Sequence, residues 1–360
     1  KMSLAAEYVV LVWLARKLKS SVAWSEDRRE NLIAGFHARD QYITLQGAFD
    51  RDAKLIALKA DIVANVGAYS CFPTTCGVEP LMAMAEMPGP YDVKHYETRA
   101  RGVITNTCTM APYRGVSRPI ITFTLERLMD KAASAFAIDV IDIRRRNLID
   151  KFPYTSAIGL VYDEATYKQT LEMAVKAIDV PAFRARQQAA RAQGRHLGIG
   201  FATFSERTGY GSPAFAARGM EITPGWETVI LTVDPSGFVE ARIGSSPHGQ
   251  GLRTTLAQII ADEIGVTPDV IKVVHGDTDR APYGWGTFAS RSLVICGGAT
   301  LIAAQKVRAK LIKIASHMLE AAPHDIVLEN GAAKVAGTDR SVSIAKMARE
   351  AYHQTHRFKG

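Results

Sequence analysis

A chain of 360 residues with 47% hydrophobic and 22% charged side chains has the composition of an ordinary globular protein, which excludes a disordered or fibrous polymer. The formal charge of +8 is scattered through amphipathic segments such as Arg184 to Arg195, a solvated-face pattern that argues against nucleic acid as the partner. The longest apolar run, Tyr8 to Ala15, falls well short of the roughly 20 residues a bilayer crossing takes, so no membrane helix is expected.

At about one domain per 150 residues the length sets two or three domains. The four cysteines, Cys71, Cys76, Cys108 and Cys296, form no CxxC pair and have no histidine at ligand spacing, so neither zinc nor an iron–sulfur cluster is signalled. A reducing, cytoplasmic setting is expected.

In chain order, helical periodicity runs from Leu4 to Leu18, directly after Lys1 and without an initiator methionine or signal peptide, which reads as a cut or processed start. Gln41 to Ala48 and Leu55 to Val66 read as strands around the turn Asp50-Arg51-Asp52. A loop containing Pro and Cys leads to helices at Ile121 to Phe136 and Asp139 to Ile149, the second capped by Asp139. Two more helices, Ala165 to Ile178 and Val180 to Gln193, end at Gly194.

From Gly198 the character becomes β-rich, which places a domain boundary between residues 197 and 198. Thr228 to Val233 and Phe238 to Ile243 form a hairpin around Asp234-Pro235-Ser236-Gly237. Helix Leu252 to Ile264, strand Val270 to His275, a Gly-rich loop and helix Ala299 to Leu319 follow. Asn330-Gly331 turns a small hairpin, and Ser341 to Tyr352 is a last helix running into a polar tail, an end that also reads as a cut. Strands and helices mix without a regular βαβ rhythm, so the expected class is α+β.

Three loops carry chemistry. Gly244 to Gly251 joins a strand to a helix, and its paired glycines let main-chain N–H groups approach an anion; Gln250 adds an amide suited to a phosphate or a metal-oxo group. Gly284 to Ser292 combines small residues, three hydroxyls and Arg291 in a pattern that cradles phosphate. Pro112 to Pro119 sets Arg114 and Arg118 four apart beside Gly115, where arginine can grip a phosphate. Each loop taken alone equally fits an ordinary turn, and neither a P-loop nor a GxSxG elbow occurs.

The order of the motifs is more informative than any one of them. Trp24-Ser25-Glu26-Asp27-Arg28-Arg29-Glu30 with His37-Ala38-Arg39-Asp40, then Pro112-Tyr113-Arg114-Gly115, Leu125-Glu126-Arg127-Leu128, His248-Gly249-Gln250-Gly251 and Gly276-Asp277-Thr278-Asp279 follow one another along the chain. This succession resembles the molybdenum-binding large subunit of the xanthine dehydrogenase, aldehyde oxidase and aerobic carbon monoxide dehydrogenase family.

The resemblance implies a fragment holding residues 1–197 of a first and 198–360 of a second molybdenum-cofactor-binding domain. Lys1 would end a glycine-rich loop, and the catalytic general-base glutamate would lie beyond Gly360, so no catalytic residue and no direct metal ligand is expected here. It further implies molybdenum with molybdopterin, in the cytosine dinucleotide form, held by Arg114, Gly115, Arg144, His248, Gly249, Gln250, Gly251, Thr287, Phe288, Ala289, Ser290, Arg291 and Ser292. Arg114 and Gly115 resemble the main-chain contact beside the molybdenum, and Gln250 the amide facing its apical oxygen.

Val116, Phe204 and Glu206 would line the substrate side. A [2Fe-2S] subunit, an FAD subunit and the rest of the molybdenum subunit would be the partners, and the substrate a small molecule. Gly115 stands where carbon monoxide-oxidising members carry cysteine, and Val116 where purine-oxidising members carry phenylalanine, so neither substrate is supported. The rival from another class is a non-redox module binding a phosphorylated ligand on the same loops.

Overall fold

The structure, a computed structural model, describes residues 5–72, 74–217, 220–223 and 225–358. Lys1, Leu4 and Gly360, on which the expectations about the two ends rested, lie outside the described residues. The chain divides after Glu206 into two compact units. Helices and mixed sheets alternate irregularly in both, and the class is α+β.

The first unit opens with α1 (Ala6–Leu18) and α2 (Arg28–Ala34). Asp27 and Glu30 close a capping box on α2, the side chain of each accepting the other's main-chain N–H. Strands β1 (Gln41–Phe49) and β2 (Leu55–Gly67) form the expected antiparallel pair, and Asp50 fixes their turn by accepting the N–H of Asp52 and of Lys54. A parallel pairing needs a crossover, which α3 (Val78–Glu86) supplies before β3 (His95–Ile104) joins the free edge of β2. Neither α3, set among Pro, Gly and Cys, nor β3, rich in Arg and Glu, stood out in the sequence.

Helix α4 (Arg118–Ala135) covers the β1–β2–β3 sheet, starting three residues earlier than its apolar pattern predicts because Pro119 suits a first helical turn. Ile62, Ala83, Met87 and Ile121 form one core cluster; Leu55, Leu58, Tyr91, Leu125 and Met129 belong to the next. Helix α5 (Val140–Asn147) is capped by Asp139 as expected. A short β4–β5 pair (Tyr154–Thr155, Val161–Tyr162) leads to α6 (Tyr167–Ile178) and α7 (Val180–Ala192), and Asp179 caps the second.

Arg144, one of the expected cofactor contacts, belongs to this core. Its side chain is wholly buried, and its guanidinium donates to Glu126 at 2.7 Å, Asp130 at 3.0 Å and the carbonyls of Val140 and Phe201 at 2.7 and 2.9 Å. Tyr91 donates to the other oxygen of Glu126 at 2.6 Å; burial and then that carboxylate push the Tyr91 phenol well above its ordinary pKa. A guanidinium enclosed this way has no surface to offer a ligand.

The second unit contains α8 (Ser212–Ala216) and the hairpin β6 (Val229–Val233) and β7 (Val239–Ile243), whose turn is pinned by Asp234 accepting the N–H groups of Ser236 and Phe238. Helix α9 (Leu252–Ile264) is the crossover to β8 (Ile271–Val274), parallel to β7. A π-helical turn, Ser292–Gly297, runs into α10 (Gly298–Leu319), an irregularity the sequence does not announce. Strands β9 (Ile326–Glu329), β10 (Ala332–Val335) and β11 (Ser341–Ser343) form a meander, and Ser343 caps α11 (Ile344–His353). Ile260, Ile264, Ala304, Ala315, Ala333 and Met347 knit these elements into one core.

Replacing Arg144 by Met strands the Glu126 carboxylate in that core. Urea unfolding is expected to show a loss of about 3–5 kcal/mol, the cost of removing one partner of a buried ion pair. A cofactor ligand would instead leave the stability of the cofactor-free chain unchanged.

Candidate functional site

In the second unit one buried ion pair braces the loop from Gly284 to Ser292 and lies against Gly244 at the start of the other Gly-rich loop. Arg291 and Glu227 have no exposed side-chain surface, and the guanidinium donates to the Glu227 carboxylate. Arg291 also donates to the carbonyls of Gly286 at 2.9 Å and Trp226 at 2.6 Å, while the Trp285 N–H donates to Glu227 at 3.2 Å. The carboxylate lies so close to the main chain that a Cβ on Gly244 would stand 2.7 Å from it and one on Gly284 2.3 Å, so only glycine fits at the start of each loop. Thr287 completes the join, donating to the Ser246 carbonyl at 2.5 Å and accepting from Ser292 at 3.0 Å.

The Arg291 side chain therefore points inward and its charge is paired with Glu227, which leaves the main chain of its loop as the surface for a ligand. Glu227 itself escaped the sequence reading, because a lone glutamate ahead of a strand carries no spacing signal. Phe288 also turns inward, lying 5.1 Å from the Arg291 guanidinium and 5.8 Å from the Phe215 ring.

What the loops expose is main chain. Gly249 and Gly251 have φ of 95° and 79° and Gly286 of 80°, and the space where their Cβ atoms would stand is open to at least 4 Å. Ala289 and Ser290 are also left-handed, with φ of 48° and 51°. Gly251 begins α9 without any side-chain cap, so the free N–H groups and positive dipole end of a 13-residue helix adjoin the glycines.

Gln250 is exposed and its amide oxygen accepts the His248 N–H at 2.5 Å, which leaves its NH2 to donate. Arg253 donates to His275 Nε2 at 2.9 Å; burial and then Arg253 lower the histidine's pKa, consistent with a neutral acceptor. Beneath the loops, burial raises the Cys296 thiol to about 11. An open glycine cradle beside an uncapped helix start fits an anionic, phosphate-bearing group.

In the first unit the turn at Pro112 to Pro119 brings its expected residues together. Arg39 donates to the Arg114 carbonyl and lies 5.0 Å from the Tyr113 ring centroid. Gly115 and Ser117 are both left-handed, with φ of 77° and 61°. Arg118 is buried, donating to Glu86 at 2.9 Å and the Val116 carbonyl at 3.0 Å, with Nε 3.5 Å from Glu206. Burial raises the Glu206 carboxyl, Arg118 opposes the shift and Glu86 adds to it. Val116 and Glu206 are thus linked through one arginine, while Phe204 is largely exposed and Arg144 sits in the core. Among the described residues no cluster of three or more His, Cys, Asp or Glu could hold a metal ion.

The ion pair under the loops predicts strong coupling. Glu227→Gln and Arg291→Met each leave a buried partner unsatisfied and are expected to cost about 3–5 kcal/mol in denaturant unfolding. The double variant is expected to lose less than the sum. Additive losses would mean that the two side chains do not act together.

Family comparison gives the loops a context. Residues 1–148 and 173–360 each match a molybdopterin cofactor-binding domain. The chain is 37% identical over 348 residues to the nicotine 6-hydroxylase large subunit of Paenarthrobacter nicotinovorans, covering 96% of this chain and 42% of that protein. It is 36% identical over 364 residues to the carbon monoxide dehydrogenase large chain of Hydrogenophaga pseudoflava, covering 98% and 45%. The crystal structure of quinoline 2-oxidoreductase from Pseudomonas putida 86 superposes with a TM-score of 0.91 at 35% identity, over 100% of this chain and 46% of that one. The chain therefore spans less than half the length of these relatives. Matched over most of its length by the family's two domain models, it belongs to the molybdopterin cofactor-binding domain family.

Proposed function

We propose that this chain is the cofactor-holding portion of a molybdenum hydroxylase that oxidises an aldehyde, an N-heterocycle or a related small molecule with water as the oxygen source. The observation that carries the reading is the open cradle of Gly249 and Gly251 at the uncapped start of α9, beside the left-handed turn at Ala289 and Ser290. Main-chain N–H groups of both loops would hold the phosphates of the pterin group, which we take in its cytosine dinucleotide form, and the Gln250 amide would donate to it. When bound, the molybdenum centre supplies two-electron redox chemistry and Lewis acidity.

The main chain at Arg114 and Gly115 would face the metal end of the cofactor. Val116, Phe204 and Glu206 would border the substrate, with Glu206 held by Arg118. The general-base glutamate would come from the part of the subunit outside this chain, and a [2Fe-2S] subunit and an FAD subunit would carry electrons away. No helix among the described residues is long and apolar enough to cross a membrane, and we place the assembly in the cytoplasm.

Metal analysis of the native assembly tests the reading. Molybdenum in stoichiometric amount, pterin fluorescence after oxidation and acid-released cytidine nucleotide are the expected results. Repeated absence of molybdenum, with phosphate-ester binding retained, would replace the enzyme by a non-redox binding module. Gln250→Ala is expected to lower turnover about tenfold or more while changing unfolding stability by under about 1 kcal/mol, since an exposed loop amide contributes little to packing. Equal losses in both would assign Gln250 to the fold alone.

A further inference from the structure

The turn that presents Arg114 and Gly115 is strained where it enters α4. Ser117 has φ of 61° and no exposed surface, a left-handed conformation unfavourable for any residue with a Cβ. As N-cap of α4 its hydroxyl would ordinarily accept one of the helix's free N–H groups, yet it makes no capping bond. It donates instead to the Glu79 carbonyl at 2.7 Å and accepts from Gln41 Nε2 at 3.0 Å. Gln41 Nε2 also donates to the Glu79 carboxylate at 3.0 Å.

The start of β1, the first turn of α3 and the start of α4 therefore converge on one buried Glu–Gln–Ser triangle adjoining the turn. Arg39, itself left-handed at φ 69°, holds the turn's Arg114 carbonyl. Glu79 is 4% exposed; burial raises its carboxyl, while Gln41, Ser117 and Arg39 pull it back. A buried carboxylate and a hydroxyl diverted from its helix are costly arrangements, and such strain persists where the surrounding structure over-determines it.

We propose that Glu79, acting through Gln41 and Ser117, is a positioning residue that locks the Arg114–Ser117 turn in the geometry that meets the cofactor, without touching cofactor or substrate. The proposal rests on the reading that this turn contacts the cofactor. Glycine at position 117 accepts the left-handed conformation freely, so Ser117→Gly removes the lock and the strain together. The fold therefore survives the substitution that releases the turn.

In the native assembly, Ser117→Gly is expected to keep or raise the thermal midpoint while amide exchange at Arg118, Ile120 and Ile121, whose N–H groups donate to the Gly115 and Ser117 carbonyls, speeds up about tenfold or more. Glu79→Ala should speed the same amides. Glu79→Gln should restore them to near the unsubstituted rate, because its amide oxygen still accepts from Gln41. Turnover is expected to fall about tenfold in Ser117→Gly with KM changed less than about twofold, the signature of misplaced reacting groups.

Unchanged exchange at Arg118, Ile120 and Ile121 in Ser117→Gly overturns the proposal, as does faster exchange with unchanged turnover. Molybdenum content of the unsubstituted assembly is measured first. Its absence there refutes the functional reading, and unchanged exchange with molybdenum present refutes only the positioning role.

Discussion

The candidate site of the second unit depends on a charge pair buried beneath its loops. Burying Arg291 and Glu227 together forfeits the hydration of both ions, a cost that their mutual attraction offsets only when further hydrogen bonds complete the arrangement. Those bonds come from the main chain at Trp285 and Gly286 in the second loop and at Trp226 ahead of β6. The pair thereby fixes the path of that loop. Gly244, at the end of β7, and Gly284 both stand against the carboxylate where only glycine fits.

Internal neutralisation also decides what kind of ligand surface results. With the Arg291 charge paired to Glu227, the cradle presents main-chain N–H dipoles and one amide, and an anion held there would be held by the direction of those dipoles more than by net charge. The first unit follows the same logic. Arg118 is engaged by Glu86 and Glu206, and Arg144 by Glu126 and Asp130, so arginines that looked like phosphate grips in the sequence serve as braces for backbone. An arginine beside a glycine is ambiguous between these uses, and only the position of a buried carboxylate resolves it.

That ambiguity marks the limit of what the sequence could disclose. Elements whose signal is local were legible: the Asp234 turn, the Asp139 cap, and the long apolar periods of α6, α7, α9 and α10. Elements that exist because of something distant were not. Strand β3 carries Glu and Arg along its exposed residues and is a strand because β2 offers it an edge. Glu227 acquires meaning only when Arg291, 64 residues later, folds over it. The three loops were found as loops, and their joining through Glu227 and Thr287 was invisible.

Recognition through main-chain groups has a consequence for how such a site varies. Side chains at most loop positions can change without loss of the cradle, provided that the glycines at 244, 249, 251, 284 and 286 and the brace beneath them persist. The turn at Gly115 and Val116 is braced separately, by Arg39 on the Arg114 carbonyl, by Arg118 on the Val116 carbonyl and by the hydrogen bonds of Ser117 to Gln41 and Glu79. None of these bonds uses a side chain at 115 or 116. The side chain at 116 can thus change without disturbing that support, whereas position 115, at φ 77°, keeps a backbone conformation that favours glycine.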